Sequence, residues 1–214
     1  MNVNPNSQKT ESRLIRRTSK ARQEQIIAAA LELISHDGVE SLSVAAVARQ
    51  IGMVPSALYR HFSGKEEILL AVNAMICTNL IENVHRVEEI TFDPIQRLEL
   101  LLQRHVKLVR HKPGIARYVF STAVLPCGKE RKIALFGGVQ AYLHEVENII
   151  ATAQHKGMIT SDYTSSSLAH MFLGLVQPAI FLNQLGDGNY PMEDRVKEGW
   201  KMFKHTLSKN QEGL

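Results

Sequence analysis

Apolar residues recur along this chain at spacings of three and four, and no segment alternates for long enough to read as a strand. Ile27, Ala30, Leu31 and Ile34 predict a first helix from about Ser19 to His36, stopped by Gly38. Ser43 is a good N-cap for a second, short helix whose stripe is Val44, Val47, Ala48 and Ile51, and Gly52 ends it. Pro55 opens a third helix at its first position, where a fixed φ helps and the missing N–H costs little; Leu58 and Phe62 point inward. Lys65 begins a long fourth helix. Asp93-Pro94 starts another to about His111, and Pro113 starts a shorter one ending near Leu125. Residues 129–155 carry Ile133, Phe136, Val139, Leu143, Val146 and Ile150, which predicts a long amphipathic helix stopped by Gly157. A helix over 165–185, kinked at Pro178, and a last one over about 192–208 complete the set. The class is all-α: an N-terminal three-helix, helix-turn-helix domain joined to a larger helical domain.

Charge divides the chain in the same place. Residues 1–65 hold nine Lys/Arg and five Asp/Glu, and residues 66–214 hold sixteen of each. The formal excess therefore lies with the helix-turn-helix pattern, as a polyanion partner requires. The expected organisation is a mobile basic arm over 1–18 with Lys9, Arg13, Arg16 and Arg17, a DNA-binding domain over 19–65, a helical body over 66–208 and a tail over 209–214. The arm is either a solvated tail or a contact to phosphates or the minor groove. The polar, basic start has no apolar signal-peptide core, and Cys77 and Cys127 lack CxxC spacing, so a reduced, cytoplasmic setting is expected. The apolar run Leu168–Leu185 is interrupted by His170, Gln177, Pro178, Asn183 and Gln184, and reads as a helix buried on several sides rather than a membrane span.

A helical wheel assigns roles to the third helix. At ~100° per residue, Leu58 and Phe62 fall on one side and Arg60 opposite, with Ser56 and Ala57 beside it. A helix in a major groove turns its outer face to base edges and its flanks to phosphates. Ser56, Ala57 and Arg60 thus face bases, and Tyr59 and His61 flank them. Arg60 alone can make a bidentate contact to guanine, and Ala57 offers an apolar contact to a thymine methyl. Ser43 and Lys65, at two helix N-termini, can hold phosphates.

These residues resemble the TetR family of bacterial transcriptional regulators. The resemblance rests on His36-Asp37-Gly38, Ser43 through Ala48, Gly52, Leu58-Tyr59-Arg60-His61-Phe62 and Lys65-Glu66, and covers about residues 20–70. It implies a homodimer with a variable helical domain that holds an effector pocket and a dimer interface, and a repressor released from its operator by a small molecule. The family's phosphate contacts map onto Tyr59, His61 and Lys65, and its cap-and-phosphate role onto Ser43. Val54 stands where the family often has Ser or Thr, and Ala45 and Ala57 stand where many members carry polar residues.

The helical body offers fewer signals. His105, on the stripe of Leu98, Leu101, Leu102 and Leu108, is either a polar handle in a pocket or a satisfied core residue. Phe136, Met171 and Phe172 are the other candidate pocket residues, with core packing as the alternative. Gly137-Gly138 suggests a close approach or room for a ligand. Leu168, Leu175, Val176, Trp200 and Phe203 suit a four-helix contact between two protomers, and two readers one turn apart expect a pseudo-palindromic double-stranded operator. No nucleophile–base pair, phosphate loop or metal cluster is visible, so neither an enzyme, a metal nor another cofactor is expected. The leading expectation is a repressor released by a small, largely apolar effector; the alternative is a DNA-bound regulator whose C-terminal domain answers to a protein partner.

Overall fold

The computed structural model describes residues 5–125 and 128–208, with side chains from residue 19 onward. Among the described residues there are ten helices and no strand. α1 (Pro5–Asp37), α2 (Val44–Gln50) and α3 (Pro55–Leu58) form the head. α4 (Lys65–Ile90), α5 (Pro94–His111), α6 (Pro113–Val124), α7 (Lys129–His155), α8 (Ser165–Gly174), α9 (Gln177–Leu185) and α10 (Met192–Leu207) form the body.

The head closes on Ile26, Ala30 and Ile34 of α1, Val47 and Ala48 of α2, and Leu58 and Phe62 after the turn. Gly52 adopts φ 65 there, a left-handed conformation that costs glycine nothing. The same apolar core runs on without a break into the body, through Ile68, Leu69 and Val72 of α4. α4 is shared: it leaves the head at Lys65, packs on α7 and ends about 39 Å away at ~1.5 Å per residue. The α4–α7 crossing is so close that a Cβ at Gly138 would lie 2.0 Å from the Cys77 sulfur. This close approach explains one of the two glycines of α7, Gly138.

Three expectations change. The first helix begins at Pro5 rather than near Ser19, so backbone expected as an arm is helical from residue 5; the segment contains no glycine, and its one proline sits at the first position. The side chains of 1–18, and the tail 209–214, lie outside the described residues. The helix expected over 165–185 is two helices. Leu175 and Val176 turn through N–H bonds to Phe172 and Leu173, and Pro178 has no N–H to continue the ladder. This segment is also not buried on several sides, because Met171, Phe181, Leu182 and Leu185 are exposed. α4 and the 165–185 segment are long and apolar enough to cross a membrane by length and composition alone.

Candidate nucleic-acid interface and effector cavity

Ser43 caps α2: its Oγ accepts the Ala46 N–H at 3.1 Å. Val54 gives α3 no side-chain cap, and Pro55 stands at the first turn. Regular helix ends at Leu58, and the turn then tightens through Arg60 N–H to Ala57 O and His61 N–H to Leu58 O. The wheel drawn at ~100° per residue therefore holds through Leu58 and underturns Arg60 and His61. Ser56, Tyr59 and Arg60 are exposed, while Ala57 and His61 are half-buried. Tyr59 is 55% exposed despite its large ring, which packing does not account for. Arg49, near the end of α2, is a further exposed cation on this unit; its place opposite Val47 and Ala48 was readable from the stripe.

Lys65 sits differently from the sequence reading. Its Nζ donates to the Glu40 carbonyl at 2.9 Å, tying the start of α4 to the loop after α1. The α4 N-terminus also carries its own anions, Glu66 and Glu67. Glu67 accepts the Ser63 N–H at 2.5 Å, which holds its carboxyl below the ordinary value. An external phosphate would compete with these carboxylates for the helix dipole.

In the body, α4, α5, α6 and α7, closed by α8 and α9, enclose a cavity of about 60 Å³. Ile76 and Leu80 of α4, Ile115 and Val119 of α6 and Leu135 and Val139 of α7 give it apolar walls. His105 lines it, packed edge-on against Tyr142 with ring centroids 5.9 Å apart. Burial lowers the His105 pKa from 6.5 to about 4 and raises that of Tyr142. Tyr142 was not singled out in the sequence, although it continues the inward line Leu135, Val139, Tyr142, Val146.

The other candidate pocket residues lie elsewhere. Phe136 is 65% exposed, because the inward line of α7 passes through Leu135 and Val139 and leaves Ile133 and Phe136 outside. Met171 is exposed on α8. Phe172 is buried, but in an aromatic cluster with Trp200 and Phe203. The candidate dimer residues are corrected as well: Leu168, Val176, Trp200 and Phe203 are buried in the chain's own core, and half-buried Leu175 packs against Gly199 of α10. α10 turns its one apolar stripe inward, and the large apolar residues that α8, α9 and α10 leave outside are Met171, Phe181, Leu182, Leu185 and Met202.

Two polar joints brace the molecule, one between head and body and one between α4 and α7. Arg117 of α6 donates to the Ser35 and His36 carbonyls at 2.9 and 3.0 Å, closing the C-terminal end of α1. Arg131 of α7 is buried with Nε 3.1 Å from a Glu66 carboxylate oxygen, and its carbonyl accepts from Asn73 at 3.3 Å. Both were silent in the sequence, since each partner is at least 58 residues away. Among the described residues no group of His, Cys, Asp and Glu is arranged to hold a metal ion.

Comparison with known proteins places this geometry. Residues 26–72 match the family described as bacterial regulatory proteins, tetR family. The nucleoid occlusion factor SlmA of Aliivibrio fischeri (strain MJ11) is 30% identical over 105 residues, 49% of this chain and 54% of that protein; the matched part thus spans about half the length of that relative. SlmA of Vibrio vulnificus (strain YJ016) is 24% identical over 86% of this chain and 94% of its own length. The fatty acid degradation regulator FadR from Bacillus halodurans shares the fold with a TM-score of 0.76 at 18% identity, covering 89% of this chain and 97% of that one. FadR from Bacillus subtilis, solved with stearoyl-CoA, has a TM-score of 0.72 at 20% identity, over 86% and 98%. The reading head over residues 26–72 thus matches the family of bacterial regulatory proteins, tetR family, and it stands on an all-α body of the fold that the solved regulators share.

Proposed function

We propose that this regulator binds a specific operator through α2 and α3 and leaves it when a small, largely apolar effector occupies the cavity around His105 and Tyr142. The observation that carries the reading is the shared helix: α4 begins one turn after the exposed Tyr59–Arg60 surface and supplies Ile76 and Leu80 to the cavity wall. A ligand that moves α4 moves the head. Tyr59 and His61 hold phosphates, Ser56, Ala57 and Arg60 face bases, and Ser43 and Arg49 lie against the backbone. Lys65 contributes charge while anchored to Glu40.

Two protomers associate through the exposed stripe Met171, Phe181, Leu182 and Leu185, which sets two heads ~34–36 Å apart on a pseudo-palindromic site. The FadR structure solved with stearoyl-CoA, whose acyl chain is long and apolar, supports an effector with an apolar part. The small cavity favours a second reading, a DNA-bound factor that answers to a protein partner.

The test begins with DNA selected from a random pool and fluorescence anisotropy. Tyr59→Ala should weaken binding to all sequences and flatten its salt dependence. Arg60→Ala should relax preference at one base pair by ~1–3 kcal/mol. Unchanged affinity, salt slope and selectivity in both would refute the docking. Release of the operator by apolar compounds separates the effector reading from the partner reading.

A further inference from the structure

We propose that the cavity takes an uncharged ligand bearing a hydrogen-bond acceptor, such as a ketone, ester or aryl carbonyl, which receives the Tyr142 hydroxyl proton. This rests on the effector reading above and narrows it to a chemical class. Tyr142 is 1% exposed, and its Oη has no hydrogen-bond partner among the described residues. A buried hydroxyl without a protein partner is costly unless something inside the cavity accepts its proton. Burial pushes its pKa up, so the group stays protonated and can donate.

The rest of the lining excludes charge. The walls are aliphatic and aromatic, and no Lys, Arg, Asp or Glu lines the cavity. The other polar groups are Gln177 and His105, and the His105 ring has no hydrogen bond among the described residues. With a pKa of about 4, the neutral ring outnumbers the protonated one by roughly a thousand at pH 7. A carboxylate or ammonium would enter without a counter-charge, which burial penalises heavily.

Size defines the rest of the ligand. About 60 Å³ holds a compact polar head and too little of an aromatic body. Phe120, which lines the cavity, stands edge-on to Phe181 with centroids 5.6 Å apart. Beyond it lies an open groove of about 910 Å³ that shares Val109 and Phe120 with the cavity. Phe120 lines both spaces and is itself only partly buried, so turning its ring joins them. The ligand's carbonyl sits inside at Tyr142, and its remainder passes Phe120 toward the groove.

The test uses the full chain without DNA, at pH 7, by titration calorimetry with acetophenone, ethylbenzene and benzoate. Acetophenone should bind saturably, and benzoate at least about tenfold more weakly. Tyr142→Phe should weaken acetophenone about fivefold, the size of one net hydrogen bond, and leave ethylbenzene within about twofold. The variant removes a hydroxyl that has no internal partner, so its fold is expected to persist; ethylbenzene binding verifies that. Absence of acetophenone binding, benzoate binding as tight as acetophenone, or an unchanged acetophenone-to-ethylbenzene ratio in Tyr142→Phe would each overturn the proposal. Operator release by a ligand whose affinity ignores Tyr142→Phe would overturn it too, while leaving the repressor reading intact.

Discussion

Replacing His105 by Leu should abolish a pH dependence of stability that the wild type carries in mildly acidic solution. The ring is buried among apolar residues, and burial lowers its pKa from 6.5 to about 4. The unfolded chain therefore takes up a proton as pH falls below 6.5, and the folded chain does not until about pH 4. Stability is full above 6.5, falls as pH drops through this window, and levels off below about 4, where both states are protonated. At ~1.4 kcal/mol per decade of proton affinity the whole effect is on the order of 3 kcal/mol. Glu67 and Glu198 contribute with the same sign but lower down: hydrogen bonds hold their carboxyls below 4.5, so their stabilisation is lost only beneath that value. The interval from 4.5 to 6.5 thus belongs mainly to His105. Urea unfolding followed by circular dichroism at stepped pH, at one protein concentration, measures it. The wild type should lose about 2–3 kcal/mol across the interval and His105→Leu markedly less. Parallel profiles for the two proteins would show that His105 is not held neutral by burial, and would remove the charge-exclusion argument for the cavity.

Four further substitutions probe the scaffold. Gly138→Ala drives a methyl to 2.0 Å from the Cys77 sulfur and should cost about 1–3 kcal/mol, whereas Gly137→Ala, with nothing within 4 Å, should gain about 0.5–1 kcal/mol from helix propensity; thermal unfolding reads both signs. Ser43→Ala removes the N–H acceptor at the start of α2 and should lower stability by ~1 kcal/mol, with operator affinity falling as well because α2 seats the reading helix. Glu66→Ala leaves the Arg131 guanidinium, 8% exposed, without its carboxylate; because Glu66 itself is 63% exposed, the loss should be nearer ~1–2 kcal/mol than the value for a fully buried pair, and a denaturant titration distinguishes the two.

The reading head was largely legible in the sequence because its signals are local. Ser43 caps a residue three positions on, Gly52 turns its own backbone, and Pro55 sets its own φ. Asp93-Pro94 and Pro113 marked helix starts for the same reason, and Ser165 fell at the start of α8. Where the pattern had to choose between faces it was weaker. Ile133 and Phe136 belong to an apolar stripe on α7 but point outward, because which arc of a broad stripe is buried depends on the helices laid against it. Trp200 and Phe203 looked surplus to one core and proved to be that core, since a stripe does not say whether its partner is in the same chain or another.

Sequence alone thus determined the class, most helix starts between the first helix and the break after Gly174, and the helix-turn-helix unit, all of which follow from spacing and from caps within four residues. Tertiary structure alone decided what those helices enclose. It set Lys65 on the Glu40 carbonyl, Arg131 against Glu66, and Tyr142 beside His105 in one apolar cavity. These pairings join residues 25 to 65 positions apart, and only packed helices bring such groups together and exclude the water that would otherwise satisfy them.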